Sequence, residues 1–132
     1  MNNDCVFCKI AAKIVPSSIV YENDEFFVFL DINPVTKGHT MIIPREHHIW
    51  MQETPDEIVG KSFILAKKIM LAIKKAFDAE YVQINVVGEQ IPHFHIHLYP
   101  RWTDDGVTRL ATTTYKDNGE EKEYAQKIKN AI

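Results

Sequence analysis

Residues 92 to 101 read Pro92-His93-Phe94-His95-Ile96-His97-Leu98-Tyr99-Pro100-Arg101, and this stretch decides how the rest of the chain is read. Side chains on an extended segment alternate between faces with a period of two. His93, His95 and His97 therefore share one face, while Phe94, Ile96 and Leu98 enter a core on the other. A single such histidine is most simply a residue on the outer face of a half-buried strand. Three in strict alternation, in a chain with only six histidines in all, point to a chemical site instead. Imidazoles packed together resist simultaneous protonation, which lowers their pKa values. A neutral ring nitrogen is what a phosphorus nucleophile or a metal ligand requires.

Working outward from residues 93–100 as the last core strand, the preceding residues 81–87 alternate as another strand that Gly88 breaks. Residues 56–78 carry Ile58, Phe63, Leu65, Ala66, Ile69, Met70, Ile73, Ala76 and Phe77 at near-helical spacing, with lysines mostly opposite, which predicts one long helix. Thr54 or Asp56 is its expected cap, and Pro55 suits a first helical position. Residues 26–30 form an aromatic and β-favouring run typical of a buried strand, flanked by shorter strands at 19–22 and 39–44. The seven- or eight-residue connection holding Pro34 and Gly38 makes these an antiparallel meander. Val6, Phe7 and Ile10 share one helical face of a short N-terminal segment, residues 5–12. The expected fold class is α+β: an antiparallel sheet of about five strands, one long helix and a short N-terminal helix. Residues 1–132 are read as a single domain with a core at 4–102. Residues 103–132 are a C-terminal extension whose end, from residue 120, is a surface helix or a tail.

At 132 residues, 45% hydrophobic and 25% charged, the chain is sized and composed like an ordinary globular domain. A net charge of −3 and the lack of a run of basic residues exclude a nucleic-acid backbone as ligand. A small anion held by amides and neutral side chains stays open. No apolar run approaches the ~20 residues that span a bilayer, and the N-terminus lacks the regions of a signal peptide, so a cytoplasmic location without membrane attachment is expected. Cys5 and Cys8 are the only cysteines. As a CxxC pair they are a redox couple, two buried thiols or half of a tetrahedral zinc site.

The alternating histidines carry a resemblance. Residues 93–99 match the signature His-φ-His-φ-His-φ-φ of the histidine triad (HIT) superfamily, with Tyr99 counted as apolar. Collinear blocks resemble the same family: Cys5-Val6-Phe7-Cys8-Lys9-Ile10, Phe29-Leu30-Asp31-Ile32-Asn33-Pro34, Lys37-Gly38-His39-Thr40 and Ile43-Pro44-Arg45-Glu46-His47. The resemblance implies that His95 attacks the α-phosphorus of a nucleoside 5′-phosphoramidate or dinucleoside polyphosphate and forms a covalent nucleotidyl-histidine. His97 would contact the phosphate, and His39 would help hold the nucleophile's ring. Asp31 would grip the ribose hydroxyls, although an Asx-turn before Pro34 explains it equally well. Val6, Phe7, Ile10, Phe29, Leu30 and Ile32 would line the pocket for a purine base of an AMP-type ligand. Asn85, Gly88 and Gln90 would reach the phosphate. The loop before the triad is about three residues shorter than in many relatives, and Gln90 stands where Ser or Thr usually contacts the leaving group.

The zinc-bearing, bacterial-type members pair such a CxxC with an upstream histidine and the first histidine of the triad. Here those are His47 and His93, with the adjacent His48 a rival, giving a structural Zn2+ site of Cys5, Cys8, His47 and His93. The family also implies a homodimer, with which the apolar face of the long helix is compatible. Two other functions remain open: a nucleotide-binding or sensing module with weak or no turnover, and a nucleotidyl transferase or phosphorylase.

Overall fold

The computed structural model describes residues 2–107 and 113–132. Five strands form one antiparallel sheet: β1 (Ile19–Glu22), β2 (Phe26–Leu30), β3 (Thr40–Pro44), β4 (Tyr81–Asn85) and β5 (Ile96–Arg101). Their order is β1-β2-β3-β5-β4. The first three are the expected meander. The chain then crosses the sheet through α2 (Asp56–Phe77), so that β5 inserts beside β3 and β4 takes the edge.

The unbroken apolar run of β2 has a direct cause. Phe26 and Val28 pack with Leu65, Ala66, Ile69 and Ile73 of α2, together with Ile42, Phe94, Ile96 and Leu98. Phe27 and Phe29, one residue out of phase, pack on the other face with Met41 and Ile43 against Phe7, Cys8, Ile10 and Ala11 of the short α1 (Val6–Ala11). A strand covered on both faces has no polar side to display. A helix of six residues is far too short to stand alone, so α1 is held by what its side chains bury.

Several element ends differ from expectation. The β5 ladder opens at Ile96, paired with Ile42, rather than at residue 93. The reason is that Phe94 N–H donates to His48 O at 2.6 Å and His93 N–H to Ile91 O at 2.8 Å, so this stretch is tied to neighbouring loops. The alternation of side chains survives, because Phe94 still joins the α2 core with Ile96 and Leu98. β4 stops at Asn85, opposite His97, and Val86 and Val87 lie beyond the ladder. Neither Thr54 nor Asp56 caps α2: the N-cap is Pro55 without a side-chain bond, and Thr54 Oγ1 donates instead to Trp50 O at 2.9 Å. At the other end Asp78 adopts a left-handed conformation (φ 50°) and closes the helix. Gly38 (φ +103°) lies so close to Phe77 that a Cβ there would fall 2.7 Å from its ring. Near the C-terminus, α3 (Glu120–Ala131) is a surface helix with no buried residue.

Candidate functional site

His95 and His97 face a cavity of about 550 Å3 beside β2, β3 and α1. Their protonation patterns follow from the hydrogen bonds. His95 Nδ1 lies 2.6 Å from the His93 carbonyl oxygen, which only accepts, so Nδ1 carries the proton and Nε2 keeps its lone pair. The Val35 amide donates to His39 Nδ1 at 3.1 Å, which leaves the His39 proton on Nε2. That Nε2–H donates to His97 Nδ1 at 2.9 Å, so the proton of a neutral His97 sits on Nε2. One backbone amide and one backbone carbonyl thus prepare a base at His95 and a donor at His97.

The electrostatics agree with neutral rings. Burial holds His97 down to about 4, with His95 and His39 adding to the effect. Burial also lowers His95 and His39, and the nearby Asp31 carboxylate partly opposes it. Phe7 stands edge-on to His95 with ring centroids 5.0 Å apart, so α1 forms a wall against the ring.

Every residue expected at the nucleotide lines this one cavity: Val6, Phe7 and Ile10 from α1; Phe29, Leu30, Asp31 and Ile32; Asn85, Gly88 and Gln90. Ile32 is 87% exposed and therefore sits at the mouth rather than in the wall. Asp31 makes the Asx-turn, and that turn uses only one of its two carboxylate oxygens. Its Oδ1 accepts from the Asn33 amide at 2.8 Å, closing the Asx-turn, while Oδ2 points toward His39 Nε2 at 3.7 Å. Asn85 Nδ2 donates to the Tyr99 hydroxyl at 2.7 Å. Tyr99 itself lines the cavity and was missed as a site residue, although it continues the period of 93, 95 and 97. Also missed was a second, smaller cavity on the loop containing Trp50, which shares His95, Val87 and Gly88 with the first.

Cys5, Cys8, His47 and His93 bring four donor atoms within 4.8 Å of one another. Cys8 Sγ lies 3.3 Å from His47 Nδ1 and 3.5 Å from His93 Nδ1; Cys5 Sγ lies 3.4 Å from His93 Nδ1, and the two Nδ1 atoms are 3.3 Å apart. Tetrahedral bonds of about 2.0–2.3 Å to one ion require donor separations of about 3.3–3.8 Å. The cluster fits that requirement. His93 Nε2–H donates to Pro44 O at 2.8 Å, which leaves Nδ1 as the free donor, the outer hydrogen bond that metal-binding histidines ordinarily make. His48 is not part of the cluster: its Nε2 lies 3.1 Å from Glu46 and its carbonyl accepts from Phe94. Within the described residues Asp31, His39 and His97 form the other group of possible metal donors, but His39 and His97 already spend their facing nitrogens on each other.

Fold and site together define a five-stranded α+β protein of the histidine triad type. The chain belongs to the HIT family: the HIT domain model matches residues 12–104. It is 40% identical over 110 residues to an uncharacterized HIT-like protein of Borreliella burgdorferi, covering 78% of this chain and 79% of that one. A crystal structure of SMU.412c from Streptococcus mutans superposes with a TM-score of 0.90 at 35% identity, covering all of this chain and 87% of that one. A zinc-bound histidine triad protein from Mycobacterium smegmatis superposes with a TM-score of 0.76 at 27% identity over 97% of both chains. Some family members are named as enzymes. One is adenylylsulfatase HINT3 of Arabidopsis thaliana, 35% identical over 120 residues, or 83% of this chain and 61% of that one.

Proposed function

We propose that this protein is a hydrolase that cleaves nucleoside 5′-phosphoramidates or dinucleoside polyphosphates at the α-phosphorus, with His95 as the nucleophile. The observation that carries this reading is the bond from His95 Nδ1–H to His93 O, which leaves an unprotonated Nε2 in the wall of a nucleotide-sized cavity. In the first step Nε2 forms a bond to phosphorus and the bond to the leaving group breaks. The leaving group keeps that electron pair and takes a proton from solvent. The cationic ring is stabilised by its Nδ1–H bond to His93 O, and His97 Nε2–H donates to a phosphate oxygen. In the second step a water oxygen bonds phosphorus, the N–P bond breaks, the water gives up its proton, and His95 returns neutral.

His39 is a positioning residue that sets the tautomer of His97. Asp31 Oδ2 accepts from the ribose hydroxyls, the apolar residues of α1 and β2 hold a purine base, and Asn85, Gly88 and Gln90 lie toward the phosphate. Gln90 in place of a hydroxyl motivates a second reading, a nucleotide-sensing module with little turnover. Transfer to phosphate or a sugar phosphate would use the same intermediate.

The donor set supports zinc held by Cys5, Cys8, His47 and His93, and a zinc-bound relative has the same fold. The metal would serve as a structural tie, fixing α1 to His93. No helix among the described residues is long and apolar enough to cross a membrane. Cysteines that serve as metal ligands rather than as a disulfide suit a cytoplasmic setting. We also propose a homodimer, supported by the exposed Leu71 and Phe77 of α2 and Tyr81 on the edge strand.

The test is mass spectrometry of the protein quenched during turnover of adenosine 5′-phosphoramidate and diadenosine tetraphosphate, alongside His95→Gly. An adenylyl adduct on His95, and a loss of turnover of several orders of magnitude with AMP binding retained, are expected. Near-normal turnover by His95→Gly would remove the nucleophile assignment. Tight AMP binding with background turnover by the wild type would favour the sensing module.

A further inference from the structure

Tyr99 stands where the triad signature has an apolar residue, yet it lines the cavity and carries a hydroxyl. That hydroxyl ends a chain of hydrogen bonds whose direction is fixed at the other end. A guanidinium only donates. Arg101 is held by Asp105, with Nε 2.6 Å from Oδ2, and its Nη1–H donates to Gln83 Oε1 at 2.5 Å. The Gln83 amide nitrogen therefore faces Asn85 and donates to Oδ1 at 3.3 Å. With Oδ1 so placed, Asn85 Nδ2 faces Tyr99 and donates to its oxygen at 2.7 Å. Both amide orientations thus follow from one cation. Tyr99 receives from Asn85 and keeps its own proton to give, and among the described residues no protein group accepts it.

The register places that proton. Tyr99 lies opposite Gln83 of β4, but its hydroxyl meets Asn85, the residue opposite His97. The side chain leans back by one repeat of the strand to the level of His97, and its ring packs obliquely on His39 with centroids 4.9 Å apart. We propose that Tyr99 is a further phosphate-binding residue, its O–H donating to a non-bridging oxygen of the bound nucleotide's α-phosphate, and that Arg101 is the positioning residue that aims this donor through Gln83 and Asn85. This rests on the reading of the cavity as a nucleotide site and adds to it a donor and the device that directs it.

Charge supports the assignment independently. Among the described residues no Lys or Arg lines the cavity, so an anion there must be met by neutral N–H and O–H groups. Burial raises the Tyr99 phenol above its ordinary value, and the hydroxyl keeps its proton at neutral pH. At the far end Arg101 holds the Asp105 carboxyl well below the usual carboxylate range, so the anchoring ion pair stays charged. Between them successive donors point head to tail toward the cavity, each polarising the next.

The experiment is calorimetric titration of AMP and of adenosine into wild type, Tyr99→Phe, Gln83→Met and the double variant, with phosphorus NMR of bound AMP. Tyr99→Phe keeps the ring against His39 and removes only the hydroxyl. AMP affinity should fall about tenfold or more, the scale of a hydrogen bond to a charged group, while adenosine affinity holds and the phosphorus resonance moves. Gln83→Met keeps the side-chain length but releases the Asn85 amide to turn over. It should weaken AMP binding selectively, and add no further loss in the Tyr99→Phe background. Equal losses for AMP and adenosine, or an unchanged AMP affinity in Tyr99→Phe, overturns the donor role and leaves the nucleotide site standing. Additive losses in the double variant overturn the positioning by Arg101. Should Tyr99→Phe fail to fold, Gln83→Met decides alone: a loss confined to AMP supports the chain, and no such loss overturns it. A wild type that binds neither AMP nor adenosine brings down the nucleotide reading itself.

Discussion

Cys8→Ser removes one thiolate from the four-donor cluster while changing little else, because Cys8 is buried on α1 and serine nearly matches its shape. The thiolate's neighbours are His47 Nδ1 at 3.3 Å and His93 Nδ1 at 3.5 Å, both fitting an edge of a tetrahedron around one ion. If the variant binds zinc about 100-fold more weakly, linkage converts that into about 2.7 kcal/mol of lost stability when zinc is in excess of the wild-type dissociation constant but not the variant's. For a chain of this size that is a fall in Tm of roughly 5–10 °C. Calorimetry with added zinc, paired with zinc stoichiometry by atomic absorption, measures both sides. The deciding comparison is a chelator: without metal the wild type should drop by most of the same amount and the two proteins should nearly converge. A Tm difference of the same size with and without chelator would mean that Cys8 acts through packing alone, and the metal reading would be refuted.

The neutral state of His97 makes stability depend on pH. Burial holds its folded pKa at about 4 against an ordinary 6.5, so below pH 6.5 the unfolded chain binds a proton that the folded chain refuses. Stability is full above pH 6.5 and falls as pH drops toward about 4; the gap is worth roughly 3 kcal/mol, reduced to about 1–2 kcal/mol by solvent at the cavity mouth. Urea midpoints from pH 4 to 8 check this, and an identical slope in His97→Gln would contradict it. Asp31→Asn keeps the Oδ1 acceptor that closes the turn to Asn33 and replaces Oδ2, the oxygen that lies 3.7 Å from His39 Nε2. AMP affinity should fall about 10- to 100-fold and 2′-deoxy-AMP affinity far less, as calorimetric titration would reveal; equal losses for both would detach Asp31 from the ribose.

Much of this protein was legible before any fold was drawn. The alternation at 93, 95 and 97 depends only on the two-residue repeat of an extended chain, so it placed the imidazoles on one face wherever the ladder began. The α2 stripe of Leu65, Ala66, Ile69 and Ile73 followed in the same way from the 3.6-residue period. The family blocks led to the cavity residues one by one, and to His47 and His93 as partners of the CxxC. Element ends were less legible, because hydrogen bonds to distant loops set them: Phe94 to His48 moved the start of β5, and Trp50 drew Thr54 away from the helix it was expected to cap.

Local pattern, then, determined which residues have the chemistry and which share a face, since both depend on neighbours a few positions away. Tertiary structure alone decided which nitrogen of each ring carries the proton. That depends on Val35 N–H reaching His39 and on His39, 58 positions earlier in the chain, reaching His97. It also decided that Trp50 would meet Gly88 and open a second cavity beside His95, because no periodicity relates residues so far apart.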